Sequence, residues 1–80
     1  MAAYNEDFKL GTRVRIAPQT FLEDFRETWE FHHPLDAQQI QYADRESVVT
    51  RVSFYHCGDV LYELDGIPGT WHECCLKAAD

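Results

Sequence analysis

Residues 46–76, ESVVTRVSFYHCGDVLYELDGIPGTWHECCL, decide the fold of this chain. The stretch reads as three short strands, and in the first two the side chains alternate between two faces with the period of two that is typical of β-strands. The predicted strands are residues 47–55, 60–64 and 70–75. Gly58 supplies the first turn, and Asp65–Gly66 begins a second, longer one. The stretch therefore predicts an antiparallel meander, with Val49 and Val52 on opposite faces of its longest strand.

One further strand precedes the meander. Residues 12–16, TRVRI, alternate strictly, so we expect Val14 and Ile16 to face inward and the arginines to face outward. Pro18 ends this strand, because proline has no N–H to donate to a neighbouring strand.

A helical insertion is predicted over residues 20–42, between the first and second strands. Residues 20–23, TFLE, match a capping box, and the apolar residues that follow recur at a helical spacing. We expect the helix to end near residues 31–33, because Pro34 disfavours a helical conformation in the residue before it. Asp36 is expected to cap a further short turn.

The length of 80 residues indicates one domain with a thin core. Hydrophobic residues make up 45% of the chain, which is too many for a disordered segment and typical of a globular one. Residues 1–7 are predicted to be a flexible lead-in. The expected fold class is mainly β, as a single domain over residues 1–80 with a meander over residues 46–76.

The chain resembles SH3-like barrels. Residues 10–16, LGTRVRI, are similar to the opening strand of such barrels, and residues 32–34, HHP, followed by Tyr42, resemble the small barrels of the nitrile hydratase β-subunit type. The later residues that carry the resemblance are Val49, Val52, Gly58, Asp59, residues 61–64, Pro68, Gly69 and Trp71. The resemblance implies a small SH3-like barrel of about five short strands and an accessory role. It does not imply nitrile hydration, because the metal-binding cysteine cluster of that enzyme belongs to its partner subunit.

Charge and termini restrict the partners that we expect. The net charge of −7 disfavours direct nucleic-acid binding, which depends on a surplus of Lys and Arg, and favours a partner with a basic surface. The N-terminal sequence MAAYNEDFKL has neither the basic nor the apolar region of a signal peptide, and no apolar run approaches the ~20 residues that span a bilayer. An odd number of cysteines does not suit a disulfide framework, so we expect a cytoplasmic protein.

The candidate metal site combines thiolates with an imidazole. Cys57 lies next to His56 in a predicted turn, whereas His72 and Cys74 would share one face of the last strand. Such donors suit zinc. Cys74 and Cys75 would point to opposite faces of that strand and could not pair. The alternative is that all three cysteines are structural and no cofactor binds, because free cysteines are often buried.

No catalytic constellation is evident in the sequence. There is no Gly-rich phosphate loop, and no Ser/His/Asp spacing is convincing. A nucleophilic cysteine is disfavoured, because the acidic surroundings would raise the pKa of the thiol. We therefore predict that the chain is not an enzyme.

The candidate partner-binding surface is aromatic and acidic. SH3-like barrels bind Pro-rich or basic segments through aromatic residues beside acidic loops. The predicted contact residues are Tyr55, Tyr62, Glu63, Asp65, Trp71 and Glu73. Trp71 is expected to be at least half exposed. The first hypothesis is thus a non-enzymatic interaction module or accessory subunit that docks to a protein partner. Homodimer formation is also open, because free strand edges often pair.

Two other functions stay open. One is a zinc-binding accessory protein that uses the thiolate–imidazole site. The other is an acidic inhibitor that mimics nucleic acid, which requires the carboxylates of residues 23–30 to form one surface stripe. His32 and His33 are interpreted as residues that stabilise the negative C-terminal end of the helix, and a pH-sensing role is the alternative.

Overall fold

A computed structural model describes residues 6–55 and 59–79, and these residues form a single five-stranded antiparallel sheet with three short helices. The elements in chain order are β1 (Arg13–Ile16), α1 (Gln19–Thr28), η1 (Ala37–Tyr42), β2 (Glu46–Tyr55), β3 (Asp59–Leu64), β4 (Ile67–His72), η2 (Glu73–Cys75) and β5 (Leu76–Ala78), where η denotes a 3₁₀ helix. The prediction of a mainly β chain is confirmed. Within these described residues, no helix has the length and apolar character needed to cross a membrane.

The strands lie in the order β4-β3-β2-β1-β5, so that β2 is central and pairs with β1 and β3. A bulge interrupts the β2–β3 pairing between Val49 and Arg51. The extra residue shifts the alternation of side chains by one position. As a result, Val49 is buried and Val52 also packs against the core. The prediction that these two valines face opposite sides is therefore wrong.

The helix α1 is shorter than predicted and has a different cap. It begins after Pro18, which makes no side-chain capping bond, and it ends at Thr28; the N–H of the next residue, Trp29, donates to the Phe25 carbonyl. The predicted capping box fails because Thr20 already lies inside the first turn. A capping box forms instead at η1, between Asp36 and Gln39, so the predicted cap at Asp36 is confirmed.

The last third of the chain departs most from prediction. Asp65–Gly66 forms a tight turn, with Gly66 at φ +70°, and β4 already starts at Ile67. β4 then ends at His72, and the predicted strand over residues 70–75 is replaced by η2 from residue 73 onward. The Cys75 carbonyl accepts a bond from the Ala17 N–H at 2.8 Å, which directs the chain into β5 alongside β1.

The core lies between the sheet and α1. Its largest fully buried side chains are Trp71, Tyr62, Ile16, Leu22, Val14, Val49 and Cys75. Trp71 is 0% exposed, so the expectation that it is at least half exposed is wrong. It lies opposite Tyr62 in the β3–β4 pair, and both rings pack in the core. The Trp71 indole N–H has no hydrogen-bond partner among the residues described.

Candidate partner-binding cleft

The six predicted contact residues do not form one surface. Tyr55 pairs with Asp59 at the start of β3, whereas Asp65 follows the other end of this strand. Six residues of strand separate these two ends by about 20 Å. Tyr62 and Trp71 are both fully buried, so neither ring is available to a partner. Glu63 is exposed within β3, opposite Arg51 of β2, and Glu73 is partly buried in η2.

Tyr62 and Glu73 anchor the chain before β1. The Tyr62 hydroxyl donates to the Glu73 carboxylate and accepts bonds from the N–H groups of Asp7 and Phe8 at 3.2 and 3.3 Å. The same carboxylate accepts the Asp7 N–H at 2.9 Å. Burial and the bond to Glu73 raise the pKa of Tyr62. The Asp7 N–H is thus bonded to the body of the domain, while residues 1–5 lie outside the described part, so the flexible lead-in over residues 1–7 stays a prediction.

A small cleft lies where four parts of the fold meet. We call it the docking cleft, and its lining residues are Trp29, Asp59, Val60, His72, Glu73 and Cys74. These residues come from the segment after α1, the start of β3, the end of β4, and η2. The volume of the cleft is about 220 Å³. Small-molecule sites usually measure about 300–1,000 Å³, so this cleft fits a single side chain better than a metabolite.

Aromatic rings extend from the docking cleft along the surface. Trp29 stacks on Phe25 at 5.2 Å between ring centroids and meets the edge of Phe31 at 5.1 Å. The Trp29 indole N–H donates to the His32 carbonyl at 2.6 Å, which fixes the turn after α1. His32 in turn stacks on Tyr55 at 3.9 Å. Phe31 is 71% exposed, so part of this aromatic surface faces solvent.

Three histidines connect the two sides of the docking cleft. His32 Nε2 lies 2.5 Å from Asp59 Oδ2, and the Nδ1 atoms of His32 and His33 are 2.9 Å apart. His72 Nε2–H donates to the His33 carbonyl at 2.8 Å. Burial lowers the pKa of His72, and the bond to that carbonyl only partly opposes the effect. His72 is therefore neutral at pH 7.

The helix-dipole interpretation of His32 and His33 is wrong. Because α1 ends at Thr28, both histidines lie beyond its last turn, where the dipole has little effect. They contact Tyr55 and Asp59 of the β2–β3 hairpin instead. His33 has φ +49°, in the left-handed region, and its backbone carbonyl is thereby turned to accept from His72.

The predicted metal ligands are only partly described. His72 and Cys74 both line the docking cleft, but Cys57 and His56 fall outside the described residues. The argument that His72 and Cys74 share a strand face is wrong, because β4 ends at His72. Within residues 6–55 and 59–79, no group of three or more donor side chains is placed to hold a metal ion. A zinc site that includes Cys57 stays a prediction.

The adjacent thiols of η2 differ sharply in exposure. Cys74 is exposed, whereas Cys75 is 0% exposed and belongs to the core. The interaction with the Cys75 thiol lowers the pKa of Cys74 to about 7, although burial and the carboxylates of Glu73 and Asp59 act in the opposite direction. The same interaction and burial raise the pKa of Cys75. The acidic neighbours Glu73 and Asp59 do raise the pKa of Cys74, as expected, but the opposite effect of Cys75 is larger.

Sequence reasoning does not assign four residues to this site, namely Trp29, Phe31, His32 and Asp59. The helical spacing predicts that Trp29 lies on the apolar face of the helix. Phe31, His32 and Asp59 belong to no alternating strand pattern in the sequence. The pair of histidines before Pro34 is a signal that the chain leaves the helix there.

Comparisons of the chain with protein-family models, curated proteins and solved structures give no match.

Proposed function

We propose that this chain is a non-enzymatic interaction domain, an SH3-like barrel that binds a basic segment of a partner protein in its docking cleft. The observation that carries the proposal is a small cleft in which the half-buried Trp29 lies beside the carboxylates of Asp59 and Glu73, with the exposed ring of Phe31 against Trp29. Such a surface suits a segment that contains proline and arginine, since aromatic rings receive proline and carboxylates receive arginine.

The strand order supports a closed, barrel-like curvature. β4 and β5 are the two edges of the sheet, yet only the three residues of η2 join them. In a flat sheet, these edges would be about 19 Å apart, because neighbouring strands lie about 4.8 Å from one another. A 3₁₀ turn of this length spans only about 8 Å. This short connection favours a curled sheet whose edges approach, as the strands of an SH3-like barrel do.

The charges of the docking cleft favour a basic partner. Asp59 is 54% exposed in its side chain, and Glu73 contributes a second carboxylate. His72 is neutral, so no cation of β4 offsets them. The exposed arginines of β1, Arg13 and Arg15, both pair with Glu46 of β2. The acidic cleft agrees with the net charge of −7 and with steering of a basic segment toward it.

The docking cleft supports this proposal more strongly than the α1 surface supports mimicry of nucleic acid. Glu23, Asp24 and Glu27 are exposed on α1, but Arg26 is exposed among them and Glu30 lies beyond the helix. Three carboxylates interrupted by a cation make a short acidic patch. A mimic of the nucleic-acid backbone needs a longer series of charges at a regular spacing.

The test is peptide selection followed by mapping. A displayed peptide library is selected on the protein, and a selected peptide that contains arginine and proline is titrated into ¹⁵N-labelled protein. We expect chemical-shift changes at Trp29, Phe31 and Asp59. Phe31→Ala should weaken binding about tenfold, as removal of an aromatic anchor does. Asp59→Asn should weaken it about two- to fivefold, with a smaller dependence on salt.

Asp65→Asn is the matched control, because it removes the same charge at the far end of β3. It should leave the affinity unchanged. The proposal fails if selection yields no binding peptide, if shifts map to β1 and β5, or if Asp65→Asn weakens binding as much as Asp59→Asn.

A further inference from the structure

A second pocket lies beside the docking cleft, between η1 and the edge strand β4. Its volume is about 270 Å³, which suits one side chain better than a metabolite. We call it the η1 pocket, and its lining includes His33, Pro34, Asp36, Gln39, Pro68 and Thr70. The two pockets are adjacent, because the carbonyl of His33, a residue of the η1 pocket, accepts the Nε2–H of His72, a residue of the docking cleft.

Gln39 holds a hydrogen-bond donor at the wall of the η1 pocket. It is 6% exposed, its side-chain carbonyl accepts the Asp36 N–H at 2.8 Å, and its Nε2 donates to the Thr70 carbonyl at 3.0 Å. A primary amide nitrogen carries two N–H donors, and the second one bonds to no residue in the described part of the chain. Since an unpaired donor at a nearly buried position is costly, a ligand that brings a carbonyl oxygen is favoured there.

Asp36 supplies the negative charge of the η1 pocket. It is exposed, and one of its carboxylate oxygens accepts the Gln38 N–H at 3.4 Å. Among the described residues, neither Lys nor Arg lines this pocket. Pro34 and Pro68 add apolar surface, against which the aliphatic stem of a long basic side chain can pack. The pocket therefore suits a ligand with a cation, an aliphatic stem and a carbonyl oxygen, and a basic residue within a peptide has all three.

We propose that the η1 pocket binds a second basic residue of the partner segment whose first basic residue occupies the docking cleft. The proposal rests on the proposed function, since the docking cleft must hold the first residue. It is supported by the continuity of the two pockets and by the carboxylate in each of them. The partner is thus a segment with two basic residues at a fixed spacing.

The geometry of β4 sets this spacing. Thr70 lines the η1 pocket and His72 lines the docking cleft, on either side of the fully buried Trp71. Alternate residues of a strand are about 6.8 Å apart, and an extended partner segment repeats this distance between its residues i and i+2. A polyproline II segment instead presents residues i and i+3 about 9.3 Å apart, which is too long. The expected motif is therefore Arg-x-Arg in an extended segment beside β4, which is an edge of the sheet.

The experiment compares three synthetic peptides that have the same composition and differ only in the spacing of two arginines. The first is acetyl-Gly-Pro-Arg-Thr-Arg-Thr-Gly-amide, the second acetyl-Gly-Pro-Arg-Arg-Thr-Thr-Gly-amide, and the third acetyl-Gly-Pro-Arg-Thr-Thr-Arg-Gly-amide. Each is titrated at low salt into ¹⁵N-labelled protein. We expect the first peptide to bind about fivefold tighter than the others, because only its spacing places an arginine in each pocket. In the side-chain amide of Gln39, the proton that is not bonded to Thr70 should shift with this peptide alone.

Substitutions of single carboxylates assign the two pockets. Asp36→Asn removes the charge of the η1 pocket but keeps an oxygen that can accept the Gln38 N–H, so η1 should stay folded. It should reduce the affinity for the first peptide about fivefold and leave the other two unchanged. Asp59→Asn should weaken binding of all three, because they share the docking cleft. Asp24→Asn is the matched control, since Asp24 is exposed on α1 and lines neither pocket, and it should change no affinity.

The inference and the proposed function fail in different ways. Equal affinities of the three peptides, with shifts at Trp29 and Asp59, overturn the inference and leave the proposed function in place. Shifts confined to Asp36 and Gln39 reject the proposed function and keep the η1 pocket as a site for one basic residue. Tighter binding of the second or third peptide, or equal effects of Asp24→Asn and Asp36→Asn, overturn the inference. Binding of none of the peptides overturns it as well, whereas the library selection decides the proposed function independently.

Discussion

Substitution of Gly69 by alanine tests the contact between the helical insertion and the sheet. Gly69 lies in β4 at φ +95°, and a Cβ atom at this position would approach Gln39 Nε2 to 2.7 Å and Gln39 Cδ to 2.9 Å. Gln39 cannot easily move away. It is 6% exposed, its amide donates to the Thr70 carbonyl at 3.0 Å, and its carbonyl oxygen accepts the Asp36 N–H at 2.8 Å.

Two costs add in Gly69→Ala. A side chain at this positive φ costs about 1–2 kcal/mol of backbone strain. Displacing Gln39 breaks its bond to Thr70 and leaves buried polar groups unpaired, which costs a further ~1–3 kcal/mol. We therefore expect the free energy of unfolding to fall by about 3 kcal/mol. For a domain of this size, that lowers the melting temperature by about 12–24 °C.

The assay is chemical and thermal denaturation followed by circular dichroism, with Gly66→Ala as the matched control. Gly66 has a φ of +70° in the turn before β4, but no heavy atom lies within 4 Å of the place that an alanine Cβ would take there. Gly66→Ala should therefore cost the backbone strain alone, about 1–2 kcal/mol. The difference between the two variants measures the clash with Gln39.

A double-mutant cycle with Gln39→Ala isolates that clash. In the Gln39→Ala background, Gly69→Ala should cost no more than Gly66→Ala, which gives a coupling of about 1–3 kcal/mol. The reasoning is refuted if Gly69→Ala and Gly66→Ala destabilise the protein equally. It is refuted as well if Gly69→Ala costs the same with and without the Gln39 side chain.

Three further predictions concern buried rings. Tyr62→Phe should lower the free energy of unfolding by about 1–2 kcal/mol at pH 7. Because the pKa of Tyr62 is raised above its ordinary 10.0 in the folded state, the wild-type protein loses this stability above pH 10. The difference in stability between wild type and Tyr62→Phe should therefore be smaller in denaturation at pH 11. The pKa of His72 is lowered, so the unfolded chain binds more protons and wild-type stability should fall below pH 6.5. His72→Gln, whose amide can still donate to the His33 carbonyl, should lose less stability between pH 7 and 5.5. In Trp29→Phe, emission comes from Trp71 alone and should resist acrylamide quenching; strong quenching would contradict its burial.

The strands were predictable because alternation follows directly from burial on one face of a sheet. Val14 and Ile16 are fully buried between exposed arginines, as the pattern in β1 predicts. The alternation of buried and exposed side chains fails where the backbone departs from regular strand pairing. The bulge after Val49 has no sequence signal of its own, because Thr50 is an ordinary strand residue.

The end of β4 was not predictable for a different reason. Residues 70–75 contain no glycine or proline that would end a strand, so the local sequence favours a longer strand. The contacts of η2 come from distant parts of the chain: Glu73 bonds to Tyr62, and the Cys75 carbonyl bonds to the N–H of Ala17. Tertiary hydrogen bonds of this kind override the local preference, and a single sequence does not reveal them.

The expected exposure of Trp71 fails for a related reason, because an aromatic residue near acidic residues suits either a surface or a core.

The two carboxylates of the docking cleft differ in what they can offer a partner. Glu73 already accepts bonds from the Tyr62 hydroxyl and the Asp7 N–H through one oxygen, so its charge is committed to holding the chain before β1. Asp59 is more exposed, and its carboxylate lies against His32 Nε2 through one oxygen only. Glu73→Gln should therefore reduce mainly stability, and Asp59→Asn should reduce mainly peptide affinity. If the two substitutions changed both quantities in equal proportion, folding and docking would share one network, and the cleft would not be a separable site.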